Sequence, residues 1–185
     1  LDNNMGNQYK ILESAERLII KKGVENTSLS DIAKEVGISK GTLYYYYSSK
    51  NELINDIADK YFLEIGHNIN VALENLDKKS NPIDVVQKMF KEILDSKEKG
   101  RLHLCLIQEA ITNNDELKEK FNKEYIKWKI IIKEGLKLIF HNQDFDYGVI
   151  ANIIVAALEG FMIQNIIEIN NVSIDSVIEY VLKNK

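Results

Sequence analysis

Residues Ser39 to Leu53, SKGTLYYYYSSKNEL, set four consecutive phenols between a glycine and a lysine. Hydroxyls, an ammonium group and a bare backbone position at this density are suited to gripping phosphate and reading base edges. On a helical wheel at about 100° per residue, Leu43 and Tyr47 point one way and Gly41, Thr42 and Tyr45 the other, with Tyr44 and Tyr46 flanking the exposed side. Leu43 and Tyr47 are therefore expected to pack against Ile32, Val36 and the first helix. Glycine inside a helix costs about 0.5–1 kcal/mol relative to alanine, so Gly41 in the first exposed turn points to something that approaches the backbone closely, and a phosphate is the natural candidate. Lys40 and the free N–H groups of the helix start make an anion-binding end. Thr42 and Tyr45 are placed to meet base edges or thymine methyl groups in a major groove.

Other reactive residue types are sparse. No phosphate-binding glycine loop, HExxH or GxSxG is present, and no second histidine stands near Cys105 in sequence, so an enzyme is not expected and no cofactor or metal site is assigned. His103 and Cys105 form an isolated His-x-Cys that reads as packing, and His67 and His141 read as surface residues. The single cysteine excludes an internal disulfide framework and fits a reducing, cytoplasmic compartment. No charged-then-apolar leader opens the sequence. The net charge of −4 argues against non-specific coating of nucleic acid. It is uneven, however: residues 1–50 hold seven Lys/Arg against six Asp/Glu, whereas residues 51–185 hold seventeen against twenty-two.

The elements around the tyrosines are patterned for helix. With one proline and many Ile, Leu, Lys and Glu among 185 residues, an all-α chain is expected. Ile11, Leu12, Ala15, Leu18 and Ile19 share one face of a first helix that Gly23 stops. Thr27 or Ser28 caps a short second helix through Val36, with Asp31 in a capping-box position, and Gly37 ends it. Ser39 caps the short third helix, and Ser49 with Glu52 forms a second capping box at the start of a longer helix near Lys50. That fourth helix is expected to reach about Leu76, before the linker DKKSNP and Pro82, the best candidate for a domain joint. Further helices are expected at roughly 82–97, 100–112, 115–140, 147–169 and 174–184.

A capped short helix, a glycine turn and a second short helix with Lys-Gly-Thr-x-x-Tyr-Tyr outward is the helix-turn-helix layout. The stretch TSLSDIAKEVGISKGTLYYYYSSKNEL resembles the N-terminal DNA-binding domain of TetR-family transcriptional repressors, over about residues 8–55. The resemblance implies that Thr27 and Ser28 meet phosphates, that Ser39, Lys40, Gly41, Thr42, Tyr44, Tyr45 and Tyr46 face the groove, and that Lys50 grips a further phosphate. Two positions depart from the usual pattern: Tyr46 stands where histidine is frequent, and Tyr47 where a buried phenylalanine is usual, so the Tyr47 phenol needs a partner or a path to solvent. The reading helix has no arginine, the commonest partner of guanine, and an A·T-rich operator is the expected target.

In the C-terminal two-thirds, Tyr147 to Ile169 is apolar almost all the way round and must be covered on more than one face. Asn152, Glu159, Gln164, Asn165 and Glu168 inside it argue against a membrane span. A homodimer is expected instead, with Ile153, Ala156, Ala157 and Gly160 of this helix and Ile174, Val177, Ile178 and Val181 of the last helix at the interface, because paired recognition helices need paired half-sites. A small-molecule pocket is expected from Met89, Phe90, Leu104, Ile107, Gln108, Tyr125, Trp128, Phe161 and Asn165, with Glu109 and Glu159 as further polar anchors. The aromatic stripe Phe121, Tyr125, Trp128 and Ile132 is spaced as one helix face and reads as core first, with a pocket lining as the alternative.

The organisation expected is thus a DNA-binding domain at 1–50, a connecting helix at about 50–76, and a helical effector-binding and dimerisation domain at 51–185. The function expected is a repressor released from a pseudo-palindromic operator when an effector shifts the fourth helix around Ile57 to Ile69. The alternative is a helical DNA-binding accessory or architectural protein without an effector.

Overall fold

The computed structural model describes residues 2–74, 81–140, 146–169 and 173–183, and among these the regular elements are all helices. They are α1 (Asp2–Lys22), α2 (Leu29–Val36), α3 (Lys40–Tyr46), α4 (Lys50–Glu74), α5 (Pro82–Leu94), α6 (Lys97–Thr112), α7 (Asp115–Phe140), α8 (Tyr147–Ile166) and α9 (Ile174–Lys183). Most of the DKKSNP linker lies outside the described residues; at its end Asn81 caps α5 and Pro82 occupies the first turn, where its missing N–H costs nothing.

The chain forms two compact units, Leu1–Phe62 with Arg101–Phe121, and Leu63–Gly100 with Asn122–Lys185. By packing, then, the unit that contains α1 to α3 continues beyond residue 50 and takes in a distant stretch of α6 and α7. The reason lies in the side chains. Tyr61 hydrogen-bonds His103 at 2.9 Å, and Phe62 meets Phe121 edge to face with ring centroids 4.8 Å apart. Lys120 bridges to Asp59 at 2.7 Å. In the same unit Ile11, Ala15 and Ile19 of α1, Ile32 and Ala33 of α2, and Ile54, Ile57 and Ala58 of α4 are buried, and α2 packs on both α1 and α3.

In the second unit α5 packs on α8 and α9. Ile132, Leu136, Tyr147, Ala151 and Val155 form one buried cluster, and Phe90, Leu158 and Ile178 form another. Buried α8 residues recur at Tyr147, Ala151, Val155, Leu158 and Met162, which is one face of that helix; Val149, Ile153, Ile163 and Ile167 on the other side are exposed. By length and composition α8 is the one helix among the described residues apolar enough to cross a membrane.

Candidate nucleic-acid interface

Short helices in water need help to form, and the N-terminal unit supplies it by capping. Ser28 caps α2 and accepts from the Asp31 N–H at 3.1 Å, while one Asp31 carboxylate oxygen accepts from the Ser28 N–H at 3.0 Å and from the Lys22 ammonium at 2.9 Å. These donors, with the Ser28 hydroxyl, hold the Asp31 carboxyl well below the ordinary carboxylate range. The Glu52 carboxyl is lowered too, by the Ser48 hydroxyl and N–H. A depressed folded-state pKa stabilises above the ordinary value near about 4 and that contribution is lost as pH falls through the folded value. Stability should therefore decline on acidification below about pH 4, and Asp31→Asn should flatten that decline in thermal melts taken across the acid range.

Gly37 ends α2 in the left-handed conformation, φ 77°, where its N–H meets the Ala33 and Lys34 carbonyls. Ile38 and Ser39 follow, and the Ser39 hydroxyl caps α3 by accepting from the Thr42 N–H at 2.9 Å. The start of α4 differs from the expected box: Ser49 accepts from the Glu52 N–H, but the Glu52 carboxylate reaches Ser48 instead, at 2.8 Å from both its N–H and its hydroxyl.

Within α3 the four tyrosines divide their work. Leu43 is 0% exposed and Tyr47, the residue that ends the helix, is buried, whereas Tyr45 is 78% exposed and Gly41, Thr42 and Tyr44 also face solvent. The Tyr47 phenol has two partners, donating to Asp56 at 3.0 Å and accepting from the Gln8 amide at 3.4 Å, and burial pushes its pKa up to about 12. Half-buried Tyr46 accepts from the Asn7 amide at 3.5 Å and sets its ring at 84° to that of Tyr45. The Lys40 ammonium lies 5.7 Å from the centre of the Tyr44 ring. Nothing crowds Gly41: an added Cβ would meet only the Ser39 hydroxyl, at 3.8 Å.

The exposed residues Ser39, Lys40, Gly41, Thr42, Tyr44 and Tyr45 thus share one surface, with Ser28 exposed at the start of α2 and Lys50 half-buried at the start of α4. Thr27 is a correction. Its side chain is 1% exposed and its hydroxyl donates to the Gly23 carbonyl at 2.8 Å, so it closes the turn after α1 and has no free group for a phosphate. Asn7, Gln8 and Asp56 escaped the sequence reading, although the need of the Tyr47 phenol for a partner was a usable signal. Tyr47→Phe removes both of its bonds and leaves Asp56 and Gln8 short of a partner. A loss of about 1–2 kcal/mol in denaturant unfolding is expected.

The residues expected to line an effector pocket fall in both units. Leu104, Ile107 and Gln108 belong to the first, and Phe90, Tyr125, Trp128, Phe161 and Asn165 to the second; the side chain of Met89 lies outside those described. In the second unit the polar anchors are already engaged: Tyr125 donates to Glu159, and the Asn165 amide donates to the Leu94 carbonyl at 3.0 Å. His103 is buried against Tyr61, and the Cys105 thiol, half-buried, has its pKa raised by that burial. Of the expected dimer residues, Ile153 and Ala156 are exposed, Ala157, Gly160 and Val177 half-buried and Ile178 buried; the side chains of Ile174 and Val181 are outside those described.

A capped helix, a left-handed glycine turn and a second short helix with a polar outer face define a helix-turn-helix protein. Residues 11–57 match the profile of bacterial regulatory proteins of the tetR family. An uncharacterized HTH-type transcriptional regulator of Bacillus subtilis, YvdT, is 33% identical over 131 residues, 69% of this chain and 66% of its own length. The negative transcriptional regulator IcaR of the Staphylococcus epidermidis biofilm operon is 33% identical over 110 residues, 59% of this chain and 58% of its own length. The chain thus spans 58% to 66% of the length of these curated relatives. Among solved structures, GusR of Salmonella enterica matches with TM-score 0.78 and 18% identity over 96% of this chain and 94% of that one. A transcriptional regulator from Saccharomonospora viridis in complex with choline matches with TM-score 0.80 and 21% identity, over 95% and 93%. The chain belongs to the tetR family of bacterial regulatory proteins.

Proposed function

We propose that the chain is a homodimeric transcriptional repressor that binds a pseudo-palindromic operator through α3 and leaves it when a small molecule binds. The observation that carries this reading is the α3 surface: Lys40, Gly41, Thr42, Tyr44 and Tyr45 stand outward on a helix held from behind by Leu43 and Tyr47. Family membership and the negative regulation exercised by IcaR support repression, and the choline complex of a structural neighbour supports an effector. The exposed apolar side of α8, through Val149, Ile153, Ile163 and Ile167, supports a second copy as the covering partner. Helix α4 enters both units, so it is the chain's own route for a displacement around Ile57 to Ile69 to reach Tyr47 through Asp56. The effector acts only through unequal affinity for the free and operator-bound conformations.

Selection of bound sequences from random duplex DNA at fixed, near-physiological salt tests this directly. A pseudo-palindrome with half-sites about one turn apart, 34–36 Å, and A·T-rich at the reading positions is the expected result. Binding without an enriched site, fading with salt, would favour the architectural alternative. On the selected duplex, Lys40→Ala should lower the slope of log affinity against log salt by about 0.9 for each phosphate that is no longer neutralised, and Lys50→Ala likewise.

A further inference from the structure

A cavity of about 210 Å³ opens between the turn at residues 22–26 and one face of α6, which contributes Cys105, Gln108, Glu109 and Thr112. It lies wholly within the first unit and shares no residue with the second-unit set around Tyr125 and Trp128. The donors around it are spent on the protein. Lys22 is bound to Asp31, the Asn26 amide donates to the Lys22 carbonyl at 3.0 Å, the Thr112 hydroxyl donates to the Gln108 carbonyl at 2.8 Å, and the Cys105 thiol points to the Ile19 carbonyl at 3.7 Å.

The acceptors are not spent. Glu109 is only 7% exposed, yet one of its carboxylate oxygens has a single long partner, the Asn113 amide at 3.3 Å, and the other has no donor among the described residues. The side chains of Gln108 and Glu25 make no hydrogen bond or ion pair among the described residues. With Lys22 neutralised by Asp31, the carboxylates of Glu109 and Glu25 make the local charge favour a cation. At about 30 Å³ per water, the space suits a molecule of roughly the bulk of seven waters.

We propose that this cavity is a binding site for a small primary ammonium compound, its N–H groups directed to Glu109 and its charge matched by Glu109 and Glu25. An occupant there adjoins Lys22, whose ammonium holds Asp31 in the box that starts α2, so the site is linked to α2 through that ion pair.

The test is calorimetric titration of the full chain with n-butylammonium, with n-butanol and butyrate as the neutral and anionic counterparts. Saturable binding of the ammonium alone, weakened at least about tenfold by Glu109→Gln, is expected. Because Glu109 is buried, a second variant guards against misfolding: Gln108→Lys, at an exposed position, places a tethered ammonium at the cavity and should abolish binding. Absence of saturable binding, equal binding of all three probes, or affinity unchanged in a folded Glu109→Gln or in Gln108→Lys overturns the assignment.

Discussion

Truncating Leu43 to alanine is expected to cost about 2–5 kcal/mol, the range for a fully buried leucine. The large end is favoured by how α3 is built. Seven residues are too few to hold a helix alone, and Leu43 is the one fully covered side chain within it. Its loss leaves α3 anchored by the Ser39 cap, by the Tyr46–Asn7 hydrogen bond and by Tyr47 behind it. For a chain of this length, with stability of about 5–15 kcal/mol, such a loss should lower the melting temperature by roughly 4–20 °C. Operator binding should fall with it. Tyr45→Ala provides the contrast: at 78% exposure it should leave the melting temperature within about 1 °C while weakening operator binding by about 1–3 kcal/mol. A Leu43→Ala variant that melts like the parent would contradict the packing of α3 against its neighbours.

The second large effect is expected at α8. Ile153 is 60% exposed in the single chain, on the side of the helix that the described residues of its own unit leave uncovered. Ile153→Glu should therefore leave a lone copy unharmed, while in a symmetric pair it places two carboxylates where apolar contact is required. Burial of unpaired charge costs several kcal/mol, and each 1.4 kcal/mol is tenfold in affinity, so the dimer dissociation constant should rise by at least about a hundredfold. Sedimentation across a concentration series reads this directly. Operator affinity should drop in parallel, because one half-site cannot replace two. A dimer that persists unchanged would move the interface off this face.

The caps and turns of the N-terminal unit were legible in the sequence because each is decided over three or four residues. Ser28 with Asp31, Gly37 in the left-handed turn, Ser39 as cap, and Leu43 and Tyr47 as the inner face of α3 all follow from local spacing. Thr27 was not legible: its phosphate role came from the family resemblance, and only the fold of the preceding turn shows its hydroxyl committed to Gly23. The exchange of Ser49 for Ser48 as the partner of Glu52 depends on one residue of turn geometry that periodicity does not encode. The pocket set illustrates the larger limit. Gln108 and Asn165 carry the same chemistry, but which helix faces meet in space is a property of tertiary packing, and the two side chains belong to different compact units.

The first unit is made of two stretches, ending at Phe62 and Phe121, that are joined through residues belonging to the other unit. A ribosome adding about 5–20 residues per second takes roughly 3–12 s to pass from one stretch to the end of the other. During that interval the segment proposed to read DNA is already made, while Tyr61 and Phe62 still await His103 and Phe121. The segment proposed to read DNA is thus made before its own unit can close, which couples its maturation to the synthesis of α6 and the start of α7.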